Sequence, residues 1–417
     1  MDDKAGRRIG TISQHLKPPV STNACLANNE EGQSSKGSPV IIGGMVLDIH
    51  AKPAECLRAG TTTPGQVRYV RGGVARNVAE CMSKLGVEPF IISVVGKDMA
   101  GNLLLDHWKS LGLSIDGIRR CDDIATPIVS NIFDSEGELS AAVADVEAVE
   151  KALTTKWINQ FSIFIGAAPL LMVDANLHPL TLEAACGLAK ESNIPVWFEP
   201  VSVAKSVRVR SILKYVTFVS PNEAELIAMV EAVSSVDLFH SLKRLENDGK
   251  RMNIEEIYKL FKPAISVLLE EGVKFIALTL GSYGVLLCFK EISSFWWIPS
   301  SCSGDNQLTD FAIMGLRDRK QLLLSSTQKP IHSNKFCGQC QEPEYREIHL
   351  NCLHFPALPV SILSVVGAGD CFVGGTLAAL CGGTDIARSM AFGVAVAKCA
   401  VNSELNVPSH FSSKLVS

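Results

Sequence analysis

The chain has 417 residues, with 39 Lys and Arg against 43 Asp and Glu, and its net charge of −4 argues against a basic nucleic-acid-binding surface. Hydrophobic residues make up 47% and charged residues 20%, enough to bury a large core, while thirteen scattered Cys fall far short of a disulfide scaffold and point to a reducing compartment. No uncharged stretch stays apolar for the roughly 20 residues that a membrane helix requires, so neither a membrane nor a nucleic acid is an expected partner.

In chain order, residues 1–38 are polar and turn-rich, with Pro18-Pro19 and Asn28-Asn29, and read as an extension ahead of one domain spanning 39–417. From Val40 short apolar runs alternate with helical stretches: PVIIGGMVLD, GVARNVAECMSKLG, EPFIISVVGKD, AGNLLLDHWKSLG, FSIFIGAAPL, TLEAACGLAKESN, IPVWFEP, YVTFVSPNEAELIAMV, VKFIALTLGSYGVLLCF and VSILSVVGAGDCFVGGTLAALCGG. This rhythm predicts an α/β fold on a parallel sheet, with FSIFIGAAPL and VSILSVV among the strands. The β-rich pieces at about 49–71 and 120–145 interrupt it and predict a small sheet laid over the main one as a lid. Residues 231–265 are charged and read as helical, whereas 291–350 are polar, show no clear period and read as an insertion.

The most informative stretch is Ser364-Val365-Val366-Gly367-Ala368-Gly369-Asp370, which leads through a Gly turn into an apolar helix beginning near Ala368. Unpaired N–H groups and the helix dipole favour an anion at such a start. Asp370 in the first turn is expected to stay ionised in that potential and to accept a proton from a hydroxyl, so the pair suggests phosphoryl transfer to an alcohol. The dinucleotide fingerprint fails because Phe372 stands where its third Gly belongs, and the Walker pattern fails because Asp370 stands where its Lys belongs. Taken alone, the stretch also fits a packing turn followed by an ordinary first-turn acid.

Four other places add context. Gly72 and Gly73 open a helix carrying Asn77, whose amide can meet hydroxyl groups, and Asp48 is placed just past the first strand, at the ligand-binding end of an open sheet. Asn222 and Glu225 start a helix after YVTFVS and share a face from which they can reach a hydrated Mg²⁺, although the same letters spell a capping box. Thr279, Gly281 and Gly284 lie in a turn between two apolar strands, which by itself is a hairpin.

In this order the motifs resemble those of the ribokinase-like (PfkB) carbohydrate and nucleoside kinase family, over about residues 39–410. The resemblance implies a three-layer α/β/α fold with a small β-sheet lid, ATP as phosphate donor, Mg²⁺ and often K⁺. It implies Asp370 as catalytic base, Gly367, Ala368 and Gly369 as anion hole, and Asp48, Gly72, Gly73 and Asn77 on the sugar hydroxyls. It places Asn222 and Glu225 on Mg²⁺ and phosphates, Thr279, Gly281 and Gly284 on the nucleotide, and Ser364, Val366 and Ser403 near the monovalent cation. Ser364 and Val365 depart from the Asp and Thr that many relatives carry there, which puts K⁺ dependence in question.

Val173-Asp174-Ala175-Asn176-Leu177 resembles the VDxNL segment of the pseudouridine kinase branch, and GGVARN agrees with it. That implies phosphorylation of pseudouridine at its 5′ hydroxyl, with Asp174 or Asn176 bonding the polar edge of a C-linked uracil. An ordinary loop with a capping Asn is the alternative for the segment. Ribokinase or another nucleoside kinase is the alternative for the function, followed by a scaffold that has lost catalysis. The branch also implies a glycosidase that consumes the 5′-phosphate.

Arg8-Ile9, five residues, then His15-Leu16 resembles the N-terminal peroxisomal targeting nonapeptide, so peroxisomal import through its receptor is expected, with the cytosol as alternative. Ser413-Lys414-Leu415 spells the C-terminal signal but is followed by Val416-Ser417. Cys337-Gly338-Gln339-Cys340 is a single CxxC with no second of matching spacing, so no structural zinc is expected. A homodimer is a further expectation.

Overall fold

The computed structural model of the protein describes residues 37–58, 60–134, 139–234, 252–290 and 350–411. Residues 8–16, Ser413-Lys414-Leu415, Cys337 to Cys340, and 291–349 of the expected insertion lie outside them. The strands are β1 (Val40–Ile42), β2 (Val46–Pro53), β3 (Gly65–Gly72), β4 (Phe90–Gly96), β5 (Ile118–Cys121), β6 (Ile128–Phe133), β7 (Leu139–Asp145), β8 (Leu171–Asp174), β9 (Val196–Glu199), β10 (Phe218–Val219), β11 (Phe275–Thr279), β12 (Val285–Phe289) and β13 (Asn351–Phe355). The helices are α1 (Val74–Lys84), α2 (Met99–Ser110), α3 (Glu147–Ala152), α4 (Thr155–Asn159), α5 (Ser162–Ala167), α6 (Pro179–Glu191), α7 (Val203–Ser206), α8 (Glu223–Val233), α9 (Ile254–Glu270), α10 (Ala368–Cys381) and α11 (Ile386–Val401).

Among the described residues the main sheet runs β13-β12-β11-β10-β9-β8-β1-β4-β5, parallel from β11 to β5 and antiparallel at the β12 and β13 edge. Its strands are continuously apolar because both faces are covered. Val40 and Ile42, Leu171 and Val173, and Val196 and Phe198 enter one core. The alternating Ile41, Met172 and Trp197 enter the other, which α1, α2 and α10 cover. On that side Trp197, Phe218, Phe275 and Phe289 form a ladder across four adjacent strands, with centroids 5.2, 4.8 and 5.7 Å apart. Such neighbours reinforce the register of the pairs Trp197 with Phe218 and Phe218 with Phe275. The architecture is the three-layer α/β/α fold implied by the sequence.

A second sheet, in the order β3-β2-β6-β7, is built from lid-forming segments on either side of β4, α2 and β5. PVIIGGMVLD is therefore not one strand: β1 ends at Ile42, Gly43-Gly44 break the run, and β2 begins in the other sheet at Val46.

Two strand expectations are corrected. Ser162–Ala167, in the middle of FSIFIGAAPL, is helix α5, and the strand follows at Leu171. Ile158, Phe161, Ile165 and Ala168 recur at helical spacing and are buried, while Ile163 is 83% exposed. Nor is VSILSVV a strand: residues 356–367 are irregular, and the sheet ends with β13. Pro356 and Pro359 lack the N–H groups a ladder needs, and the segment instead leans on the end of α11 through Leu363 N–H to Val401 O at 2.9 Å.

Candidate active site

Gly367 starts α10 from the left-handed region at φ 79°, and a Cβ there would collide with the backbone carbonyl of Asn406. The turn leaves the first N–H groups of α10 open to an anion. Gly374 brings α10 against α1, since its Cα faces Cys81 closely enough that a Cβ would lie 2.7 Å from the Cys81 Cβ. This packing sets Asp370 beside Asn77, whose Nδ2 donates to Asp370 Oδ2 at 2.6 Å.

Beneath this pair lies the buried guanidinium of Arg76. Its Nε donates to Gly72 O at 2.9 Å, and its Nη2 to Arg71 O at 2.7 Å and to Asn77 Oδ1. Its Nη1 pairs with Glu80, which also meets Lys84 at 2.6 Å and His107 at 3.1 Å. Burial would raise the Glu80 carboxyl, but the hydrogen bond to His107 and the charges of Arg76 and Lys84 hold it well below the usual range. By occupying Asn77 Oδ1, Arg76 turns the amide so that Nδ2 faces Asp370. Burial pushes the Asp370 carboxyl up to about 6, against the Asn77 bond and the Arg76 charge, with Asp174 and Asp48 adding repulsion. Asp370 is thus ionised at neutral pH, as expected, but burial makes it a stronger base than an ordinary aspartate.

Asp48 lies past β1, as expected, but not in the loop at its end. It sits within β2, opposite Val70, so the lid itself brings it over the site. Asn406 Nδ2 donates to Asp48 Oδ2 at 3.0 Å and to Arg71 O at 3.3 Å, and burial pushes Asp48 up to about 6 against that bond and the Arg76 charge. Gly72 ends β3 close against the Asp48 carboxylate, and Gly73 caps α1.

Asp174, the last residue of β8, is fully buried. Its Oδ2 accepts from Gly44 N–H at 2.8 Å and Ala75 N–H at 3.3 Å, and its Oδ1 from Asn176 N–H at 2.9 Å. It thus fastens the loop after β1 and the start of α1, and burial raises its carboxyl despite these bonds. Asn176 Oδ1 accepts from Lys205 Nζ at 2.6 Å.

Across the cleft, Asn222 and Glu225 form a capping box, Glu225 N–H to Asn222 Oδ1 at 2.9 Å and Asn222 N–H to Glu225 Oε2 at 3.0 Å. Asn222 bridges Thr279, whose N–H donates to Pro221 O at 2.9 Å, and Gly281 and Gly284 frame the turn into β12. Ser364 reaches Val401 O through its N–H at 3.2 Å and accepts from Val366 N–H, while Ser403 follows α11 and accepts from Leu405 N–H at 3.0 Å. Asp48 and Asp174 thus lie near enough to Asp370 to repel it, Asn77 and Asn176 are hydrogen-bonded to Asp370 and Asp174, and Asp370, Asp174 and Glu225 all act on Glu199, so the predicted carboxylates share one region.

Among the described residues no three His, Cys, Asp or Glu side chains converge on a metal. A hydrated Mg²⁺ bound partly through phosphates needs only one or two carboxylates. Glu225 fits, since burial raises its carboxyl, and its charge adds to burial and to Asp370 in raising Glu199. A cation near Glu225 and Asn222 would relieve that crowding.

Sequence reading missed Glu80, Glu199, Lys205 and Asn406. The spacing of Arg76, Glu80 and Lys84 at i, i+4 was legible as a charged helix face. The others act only through long-range contacts.

The model of the pfkB family carbohydrate kinases matches residues 37–296 and 346–408. The chain is 48% identical over 385 residues to the pseudouridine kinase of Arabidopsis thaliana, covering 91% of this chain and 94% of that one. It is 31% identical over 186 residues to the pseudouridine kinase of Escherichia coli K12, covering 45% and 58% of the two chains. The structure of Arabidopsis thaliana ribokinase complexed with ribose and ATP superposes with a TM-score of 0.63 at 16% identity, over 91% of this chain and 97% of that one.

Proposed function

The chain belongs to the pfkB family of carbohydrate kinases, and we propose that within it the protein transfers the γ-phosphoryl group of ATP to the 5′ hydroxyl of pseudouridine. The observation that carries this reading is the similarity to the Arabidopsis pseudouridine kinase along nearly the whole of both chains.

In this reading Asp370 takes the proton of the 5′ hydroxyl as that oxygen bonds to phosphorus and the bond to ADP breaks. Asn77 holds the carboxylate in place, and the backbone N–H groups of Gly367, Ala368 and Gly369 face the charge that spreads over the phosphoryl oxygens. Asp48 and Asn77 meet the ribose hydroxyls, and Asn176, steadied by Lys205 and Asp174, meets the nucleobase. Thr279, Gly281 and Gly284 face the nucleotide. Asn222 and Glu225 would hold Mg²⁺, which supplies charge neutralisation on the phosphates, and K⁺ would lie by Ser364, Val366 and Ser403.

Import into peroxisomes through residues 8–16 and assembly as a homodimer belong to the same reading. The dimer is supported by one face of the lid sheet, where Tyr69 and Val143 stand 57% and 72% exposed. A reporter fused to residues 1–39 that stays cytosolic refutes import, and a monomer by sedimentation at micromolar concentration refutes the dimer.

ATP consumption with Mg²⁺ against pseudouridine, uridine, adenosine, ribose and fructose, with and without K⁺, tests the activity. A preference for pseudouridine of at least about 10-fold in kcat/KM is expected. Preference for ribose or another nucleoside would overturn the substrate while keeping the family, and no turnover on any would favour a scaffold.

A further inference from the structure

Arg208, in the short 3-10 helix Val207–Ser211, makes a contact pattern that none of the site residues above explains. Its Nη1 donates to three successive backbone carbonyls, Ala175 O at 3.1 Å, Asn176 O at 3.2 Å and Leu177 O at 2.8 Å. Its Nη2 pairs with Glu150 Oε2 at 2.6 Å. Three consecutive carbonyl oxygens pointing at one spot repel one another, and the turn holds that shape because a fixed, permanently charged planar donor stands at the focus.

We propose that Arg208 is a positioning residue for nucleoside selection, clamping the Ala175–Leu177 turn and tying it through Glu150 to the exit of the lid. The proposal rests on the nucleoside kinase reading above. Asn176 sits in the middle of the clamped turn, and Asp174 immediately before it fastens both Gly44 and Ala75, so a shift of the turn moves the acceptor side of the cleft as a unit. Glu150 lies in α3, directly after β7 ends at Asp145, so the guanidinium links the last lid strand to the nucleobase turn.

The route by which Arg208 reaches the turn is itself strained. Val201, just after β9, has φ 66°, a region that β-branched residues almost never occupy. That reversal delivers α7 and the following 3-10 helix, with Lys205 and Arg208, onto Asn176. Strain of this kind persists only where surrounding contacts over-determine it, and the clamp is such a set of contacts.

Steady-state kinetics of Arg208→Lys and Glu150→Gln in the full chain test this, varying pseudouridine, uridine and ATP in turn. Lys keeps the charge but cannot span three carbonyls and Glu150 together. Arg208→Lys is expected to raise the KM for pseudouridine about 10-fold or more and to shrink the pseudouridine to uridine preference, with the KM for ATP and the pH profile unchanged. Glu150→Gln keeps the clamp and turns the tie from an ion pair into a neutral hydrogen bond, so a rise of only about 3-fold is expected. A folded Arg208→Lys with wild-type nucleoside KM and preference overturns the proposal, as does an equal rise in nucleoside and ATP KM. Should Arg208→Lys fail to fold, an unchanged nucleoside KM in Glu150→Gln overturns it. If the wild type prefers another nucleoside, the substrate reading fails while the clamp is still judged on that nucleoside.

Discussion

On the acceptor side of the cleft Arg76, Asn77, Asp174 and Asn176 are 2, 3, 0 and 7% exposed, and every one is hydrogen-bonded to other protein groups. At the approach to α10, by contrast, Ile362, Leu363 and Val365 are 70, 63 and 67% exposed, and a Cβ added at Gly369, or at Gly281 in the turn before β12, would meet nothing within 4 Å. One side is built during folding; the other, the approach to α10, lies open to solvent. Interactions fixed in advance cost no ordering when a ligand binds, so substrate discrimination is expected from the buried cluster around Asn77 and Asn176.

The sharpest way to break this contrast is at the junction of the two sides. Asp370→Asn keeps the shape and the bond to Asn77 but removes the base, so kcat should fall about 10²- to 10⁴-fold with ATP affinity unchanged, as read by single-turnover kinetics and nucleotide titration. Next in size, Arg76→Met leaves Glu80 buried beside only Lys84 and the His107 ring and frees the Asn77 amide, and should cost about 3–5 kcal/mol in urea unfolding. A loss below about 1 kcal/mol would mean that the acceptor side is less tightly built than its burial indicates.

Ionisation sharpens the contrast further. With Asp370 and Asp48 both near 6, kcat/KM should decline on the acid side below about pH 6. Stability runs the other way. A carboxyl whose folded value is raised contributes stability below its ordinary value near 3.8, and that contribution is lost as pH rises through about 6. Asp370→Asn should therefore melt a few degrees above wild type at pH 7.5 and close to it at pH 4. The smallest effect belongs to the open side: Ile362→Ser should change stability by less than about 0.5 kcal/mol and leave the nucleoside KM alone.

Much of this was legible in the letters. The strand-helix rhythm, the Gly turn before Asp370 and the Asn77 helix depend on local patterns, and the structure brings Asp370 and Asn77 into contact. What escaped is non-local. The Ser162–Ala167 stretch is apolar enough to pass for a strand until its burial is seen to follow a helical period. Asp48 changes sheet because a two-glycine break lets β2 leave β1 after three residues. Asn406 carries no signature at all, being an amide in a loop that matters only because Asp48 and the Arg71 carbonyl come to it.

The bond between Asn77 and Asp370 spans 293 positions of the chain, and the one between Asp48 and Asn406 spans 358. During translation, at roughly 5–20 residues per second, the lid and α1 leave the ribosome roughly 15–60 s before the segment that completes them. Until then the buried Arg76 has Glu80 but no Asp370, and Asp48 has no Asn406. The proposed site is thus completed only at the end of synthesis, and a nascent chain stalled before α10 carries its whole lid without Asp370 or Asn406.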